Sequence, residues 1–300
     1  MLAMKEFVLG TSNGSTFPSI TSETLGMYSF GIPPYFEQST IAAFLDRETA
    51  RIVALIAKKE RQIELLEEKR AALISHAVTK GLDPNAKMKD SGVEWLGEVP
   101  ERWEILHLGW VSYLIVPMRD KPPEFNGDIP WIRIEDFNGK YISDSKSDQR
   151  VSAEIVNKMN LKIFPVGTVL CSCSCNMGST AIVAKPLISN QTFIGIVPKK
   201  ELDSIFVYYL MSASGSWLQS IGSGAIQQYL SRDEFSHLKL ALPPLPEQTA
   251  IAAFLDRETA KIDNLIQLIN ESMEKLREYR TALISAAVTG KIDVRGEVQA

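Results

Sequence analysis

The sequence predicts an α+β protein in which two long helices of coiled-coil type are joined by a mixed α/β domain, and three observations carry that expectation. A run of about 40 residues occurs twice, with its apolar residues spaced for a helix. Between the copies lie short apolar or alternating runs of strand length. The loops between those runs are rich in Asn, Ser, Gly and Gln rather than in one sign of charge.

The repeat is the firmest of the three. IAAFLDRETA occupies Ile41 to Ala50 and returns unchanged at Ile251 to Ala260. The match runs without a gap into AALIS (Ala71 to Ser75) and TALIS (Thr281 to Ser285), with about 24 of 40 positions agreeing, which marks a true internal repeat. Each copy follows a proline-rich stop, IPPYFEQ at Ile32 to Gln38 and LPPLPEQ at Leu242 to Gln248. Proline and glutamate suit a helix N-terminus, where a missing N–H is harmless and negative charge is favoured. Neither copy then contains Gly or Pro until Gly81 and Gly290. Apolar residues recur at a period of seven: Leu45, Ile52, Leu66 and Leu73 in the first copy, and Leu255, Ile262, Ile269, Leu276 and Leu283 in the second. Ile56 and Ile63, then Ile266 and Met273, fill the positions four residues on. That period argues for a coiled-coil seam, and a helix of about 40 residues is roughly 60 Å long. Two such helices have each other as the natural packing partner. Lys59, Arg70 and Arg280 are polar seam positions of the kind that fix register.

The rest of the chain follows from the same offset. Gly14 falls on Gly224, Pro33 and Pro34 on Pro243 and Pro244, and Glu37 and Gln38 on Glu247 and Gln248. The expected organisation is therefore a remnant of a domain end over 1–36, a first helix over 37–81, a complete domain over 82–245, a second helix over 246–290 and a tail over 291–300. After the Gly81 stop, residues 82–104 read as a linker anchored by Trp95 and Trp103, which suit packing against a helix end better than base stacking. Strands are expected at Trp131–Ile134, Gly167–Cys173, Thr180–Ala184, Thr192–Pro198 and His237–Pro243, and one helix from Glu201 to about Ile221.

Composition excludes several functions. With 32 Lys and Arg against 36 Asp and Glu, the net charge is −4, so any grip on nucleic acid must come from a local patch or a partner chain. No apolar stretch approaches the roughly 18 residues of a membrane span, and MLAMKEFVLG has no signal-peptide core, so a cytoplasmic, non-membrane protein is expected. The three cysteines, Cys171, Cys173 and Cys175, alternate as on one strand face and lack the paired spacing of a metal site. His107 and His237 have no partners that suggest a nucleophile or metal, and no GxGxxG or GxxxxGK[ST] motif occurs at a strand-to-helix junction. No metal, bound cofactor or catalytic residue is expected in this chain.

Taken together, PPLPEQTAIAAFLDRETAKID (Pro243 to Asp263), its first copy from Pro33, TALISAAVTGKIDV (Thr281 to Val294), KDSGVEWLGEVPERWE (Lys89 to Glu104) and GSGAIQQYLS (Gly222 to Ser231) closely resemble the specificity subunits of type I restriction-modification systems. The resemblance implies a target recognition domain that reads half of a split site in the DNA major groove. It also implies two helices packed antiparallel, which space the half-sites and hold the methyltransferase subunits. Those partners would bind S-adenosylmethionine and methylate a flipped adenine, and a separate ATP-driven restriction subunit would cut. Specificity subunits of the family usually carry two complete recognition domains, whereas this chain has one. Pairing of two copies through the helices and a single-reader form, inactive or of altered specificity, both fit that departure.

For contact with double-stranded DNA, the loop residues near strand ends are the candidates: Arg133, Lys140, Ser174, Asn176, Ser179, Asn190, Gln191, Gln227, Gln228, Tyr229 and Arg232. Asn and Gln match adenine, Arg matches guanine, and Ser is permissive. The same residues in loops also serve as ordinary turns. A coiled-coil scaffold whose inserted domain binds protein is the rival reading.

Overall fold

The computed structural model describes residues 19–27, 29, 31–117, 120–174, 176–222 and 229–296. The chain divides into two compact units, one formed by residues 1–67 and 262–300 and the other by residues 68–261.

The first unit holds a short helix α1 (Ser22–Gly26), most of α2 (Tyr35–Lys80) and the C-terminal part of α8 (Leu245–Val288). Phe44 and Ile52 of α2 are buried with Leu283 and Ala287 of α8 and with Val294, while Ile56 and Leu276 pack alongside. The N-terminal part of one helix thus meets the C-terminal part of the other, and Glu60 reaches Arg277 at 3.8 Å, so the pair is antiparallel. Of the seam positions in this unit, Ile52, Ile262, Met273 and Leu283 are buried, and Leu45, Ile56, Ile63, Leu66, Ile266, Ile269 and Leu276 are half-buried. Val53, Leu55, Leu65, Leu265 and Leu268 lie off the seam and are exposed, as a stripe of period seven requires.

The second unit is the α/β domain with the remaining helix ends. In chain order it contains β1 (Met88–Asp90), β2 (Glu98–Pro100), β3 (Glu104–His107), α3 (Leu108–Val111), β4 (Ser112–Ile115), β5 (Ile129–Ile132), β6 (Tyr141–Ile142), β7 (Arg150–Val151) and α4 (Ala153–Met159). These are followed by β8 (Val169–Ser172), β9 (Thr180–Val183), β10 (Ile188–Ser189), β11 (Phe193–Pro198), α5 (Ser204–Ala213), α6 (Gly215–Ile221), α7 (Arg232–His237) and β12 (Lys239–Leu242). The main sheet has the order β4-β11-β8-β9-β6, with β6 parallel to β9 and the other pairs antiparallel. A three-stranded sheet has the order β10-β5-β7, and β1-β2 and β3-β12 form separate antiparallel pairs. Strand β8 is covered on both faces: Val169, Cys171 and Cys173 enter one core, and Leu170 enters a second with Ile132, Phe164 and Val183.

Both helix ends in this unit pack on the domain. Ala77, Val78, Ile251 and Leu255 are buried in its main core, with Leu73 half-buried beside them, so these two seam positions serve the domain core. Gly81 ends α2 in the left-handed region at φ +77°, its N–H donating to the Ala77 carbonyl at 3.2 Å. A Cβ there would lie 3.3 Å from the Trp103 ring, so both the backbone and the packing ask for glycine.

Three expectations need correction. Residues 82–104, expected as a linker, carry a hairpin of the folded domain: Met88 pairs with Pro100 and Asp90 with Glu98, and Leu96, Val99 and Trp103 are buried. Strands of three residues are too short to show alternation. The helix expected from Glu201 to Ile221 is two helices, broken at Ser214 where the backbone of Gly215 packs on Gly178. The strand expected over Trp131–Ile134 ends at Ile132, because Arg133 leads into a 3-10 turn pinned by a carboxylate.

Candidate nucleic-acid interface

The topology of the three-stranded sheet brings distant loops together. Strand β5 pairs in parallel with β10, Trp131 beside Ile188, and antiparallel with β7, Pro130 beside Arg150. The residues that follow β5 and β10 and the residue that precedes β7 therefore leave the sheet at the same end. These are Arg133, then Asn190 and Gln191, then Gln149, whose carbonyl accepts from the Trp131 N–H at 2.8 Å. With Lys121 and Trp131 they line a polar cleft of about 320 Å³.

The walls of the cleft are held from behind. Asp136 is buried, accepting from the Arg133 N–H at 2.7 Å on one oxygen and from the Lys146 N–H at 2.8 Å on the other. The Arg133 guanidinium donates from Nη2 to Ser147 Oγ at 3.3 Å. Its Nε sits 3.0 Å from Glu135 Oε1 but is poorly aligned with it, so this is an ion pair without a hydrogen bond. Asn190 Oδ1 accepts from the Thr192 hydroxyl at 2.5 Å. Gln149 Oε1 is buried and has no hydrogen-bond partner among the described residues.

Backbone hydrogen bonds tie the segments carrying Ser174 and Tyr229 to the loop after β10, whereas Asn176, Ser179 and Arg232 do not line the cleft. The Cys173 N–H donates to the Thr192 carbonyl at 2.9 Å and its thiol to the Gln191 carbonyl at 3.6 Å, while the Leu230 N–H donates to the Cys173 carbonyl at 3.0 Å. Ser174, which is buried, bridges to Tyr229, which is partly exposed. Asn176 is exposed and its carbonyl accepts from the Ser179 N–H at 3.1 Å, closing the turn between β8 and β9. Arg232 is exposed at the start of α7. Gln227, Gln228 and Cys175 lie outside the described residues.

Lys140 stands apart from this group. Its ammonium is 2.7 Å from Asp256 Oδ2 on α8, and the other oxygen of Asp256 accepts from the Tyr209 hydroxyl at 2.6 Å. Burial and this bond push the Tyr209 phenol up from its ordinary pKa. The lysine charge is thereby spent on holding the domain to its own helix end.

Sequence reasoning passed over Lys121, Trp131 and Gln149. Gln149 sits in a loop already singled out for its polar composition, but only strand order shows that it faces Arg133 and Asn190. The cleft offers N–H donors, an uncommitted acceptor and two cationic groups, a set suited to reading the edge of a base beside a phosphate backbone.

Comparison with known proteins places the arrangement. The family described as type I restriction modification DNA specificity domain matches residues 1–65 and 100–275. In Methanocaldococcus jannaschii, the type I restriction enzyme MjaIX specificity subunit is 30% identical over 187 residues, covering 60% of this chain and 43% of that one. The MjaVIII specificity subunit of the same organism is 25% identical over 308 residues, covering 98% of this chain and 69% of that one. A third chain there, designated MjaX, is 27% identical over 278 residues, and this chain spans 62% of its length. In fold, the chain matches the HsdS subunit from Thermoanaerobacter tengcongensis with a TM-score of 0.59 at 18% identity, covering 97% of this chain and 69% of that one. It also matches a chain from a structure of complex assembly in the type I R-M system, with a TM-score of 0.73 at 18% identity, covering 96% and 69% of the two chains.

Proposed function

Because the chain belongs to the type I restriction modification DNA specificity domain family, we propose that it is the sequence-reading subunit of a type I restriction-modification complex. The α/β domain reads a DNA half-site, and the paired helices dock methyltransferase subunits. Methylation with S-adenosylmethionine and ATP-driven cleavage belong to partner subunits. The observation that carries this reading is the cleft at the end of the three-stranded sheet. Two cations and three carboxamides from four separate segments converge there, which is the side-chain chemistry of base recognition.

The test is a gel shift at moderate salt on a duplex carrying the methylation site of the system, with and without its methyltransferase subunits. A specific band is expected with both components present, and competition by random DNA should leave it largely intact. If neither mixture shifts any duplex, the protein-binding scaffold is the better account.

A further inference from the structure

The existing contacts of the three carboxamides in the cleft separate them. Asn190 has its oxygen committed to Thr192, through the hydroxyl at 2.5 Å and the N–H at 3.3 Å, so it has only its amino end to give. Gln191 is exposed, and no hydrogen bond among the described residues holds its side chain, so any contact must first order a free rotor. Gln149 is half-buried on a backbone fixed by the Trp131 N–H, with its Oε1 shut away from solvent and unpartnered among the described residues. A buried oxygen without a donor is unfavourable in the free protein. The glutamine side chain is a soft rotor that carries an acceptor and a donor side by side, so reorienting toward a ligand in the cleft would offer both.

That pair complements adenine, which presents its N6 amine and N7 together in the major groove. Arg133 would match guanine, but its guanidinium is already engaged by Ser147 and Glu135. We propose that Gln149 is the specificity-determining residue of this cleft and that it reads an adenine through N6–H and N7, with Lys121 supplying positive charge beside it. The assignment rests on the DNA-reading function above.

The experiment is selection from a pool of random-sequence duplexes, using the full chain reconstituted with the methyltransferase subunits of its system, followed by sequencing. The wild type should enrich a motif with adenine at a position that depends on Gln149. Gln149→Leu should relax that position alone by about 10- to 100-fold and leave the others in place. Gln149→Glu keeps the acceptors and loses the donor, so the same position should move toward cytosine, whose N4 amine donates. Thermal unfolding of each variant shows whether it is folded, and if Gln149→Leu is not, Gln149→Glu alone decides. An enriched motif that neither variant changes, or a uniform loss at every position, overturns the assignment while the DNA-reading function stands. A wild-type complex that enriches no motif overturns that function, and this assignment with it.

Discussion

Cys171 and Cys173 show how far a residue's chemistry follows from its place. Burial pushes both thiols up to about 12, so neither forms a thiolate near neutral pH. Both should resist iodoacetamide at pH 8 in the native protein and react on unfolding, as residue-resolved mass spectrometry would show. Folding raises each pKa above the ordinary thiol value of 9.0, so the folded state keeps protons that the unfolded chain gives up. The contribution of these groups to stability is therefore intact below about pH 9 and is lost progressively as pH rises toward 12. Denaturant titrations across that range should show midpoints falling with pH. The alternation of the cysteines and their place on a buried or half-buried strand were legible in the sequence. Which segments cover the two faces of β8 was not, because they lie far along the chain.

The long helices were legible almost to the residue, because what starts and stops them is local. Prolines precede each copy, and the Gln38 side chain donates to the Pro33 carbonyl at 2.8 Å as Gln248 does to Pro243 at 2.9 Å. The repeat even extends to the short helices before them: Thr21 caps α1 by accepting from the Thr24 N–H at 3.1 Å, and Ser231 caps α7 by accepting from the Glu234 N–H at 3.2 Å. The Gly81 stop gives a test at this scale. Gly81→Ala should cost about 1–2 kcal/mol from the left-handed backbone alone, measured by chemical denaturation. A change near zero would mean that the turn does not hold α2 against Trp103. The two-residue strands of the small sheet left no periodic signal, and so the cleft they organise was beyond sequence reasoning, although Arg133, Asn190 and Gln191 were among the candidates.

For the whole molecule, charge makes the sharpest expectation. A chain with a net charge of −4 contributes few phosphate contacts, so its affinity for DNA on its own should fall gently with salt. Adding methyltransferase subunits should steepen the dependence of log K on log salt, as anisotropy titrations on one duplex would measure. Equal slopes would mean that the partners add no grip on the backbone. Among the described residues no helix is long and apolar enough to cross a membrane.

The repeated decapeptide divides what sequence determines from what it leaves open. In both copies the threonine donates to the carbonyl four residues back, Thr49 to Leu45 at 2.6 Å and Thr259 to Leu255 at 2.7 Å, and an arginine stands 5.5 Å from the ring of Phe44 or Phe254. Helix, caps and short-range pairs are therefore written in the sequence, since each joins residues within about a turn of one another. Burial is not. Phe44 is buried where Phe254 is half-exposed, Ile251 and Leu255 are buried where Ile41 and Leu45 are only half-covered, and Gln38 is exposed where Gln248 is fully enclosed. Asp256 holds Lys140 and Tyr209, whereas Asp46 is exposed. Ten identical residues bury different faces because a helix carries its own hydrogen bonds but takes its hydrophobic partners from elsewhere in the chain. Only tertiary structure could decide that one copy faces a neighbouring helix and the other a recognition domain.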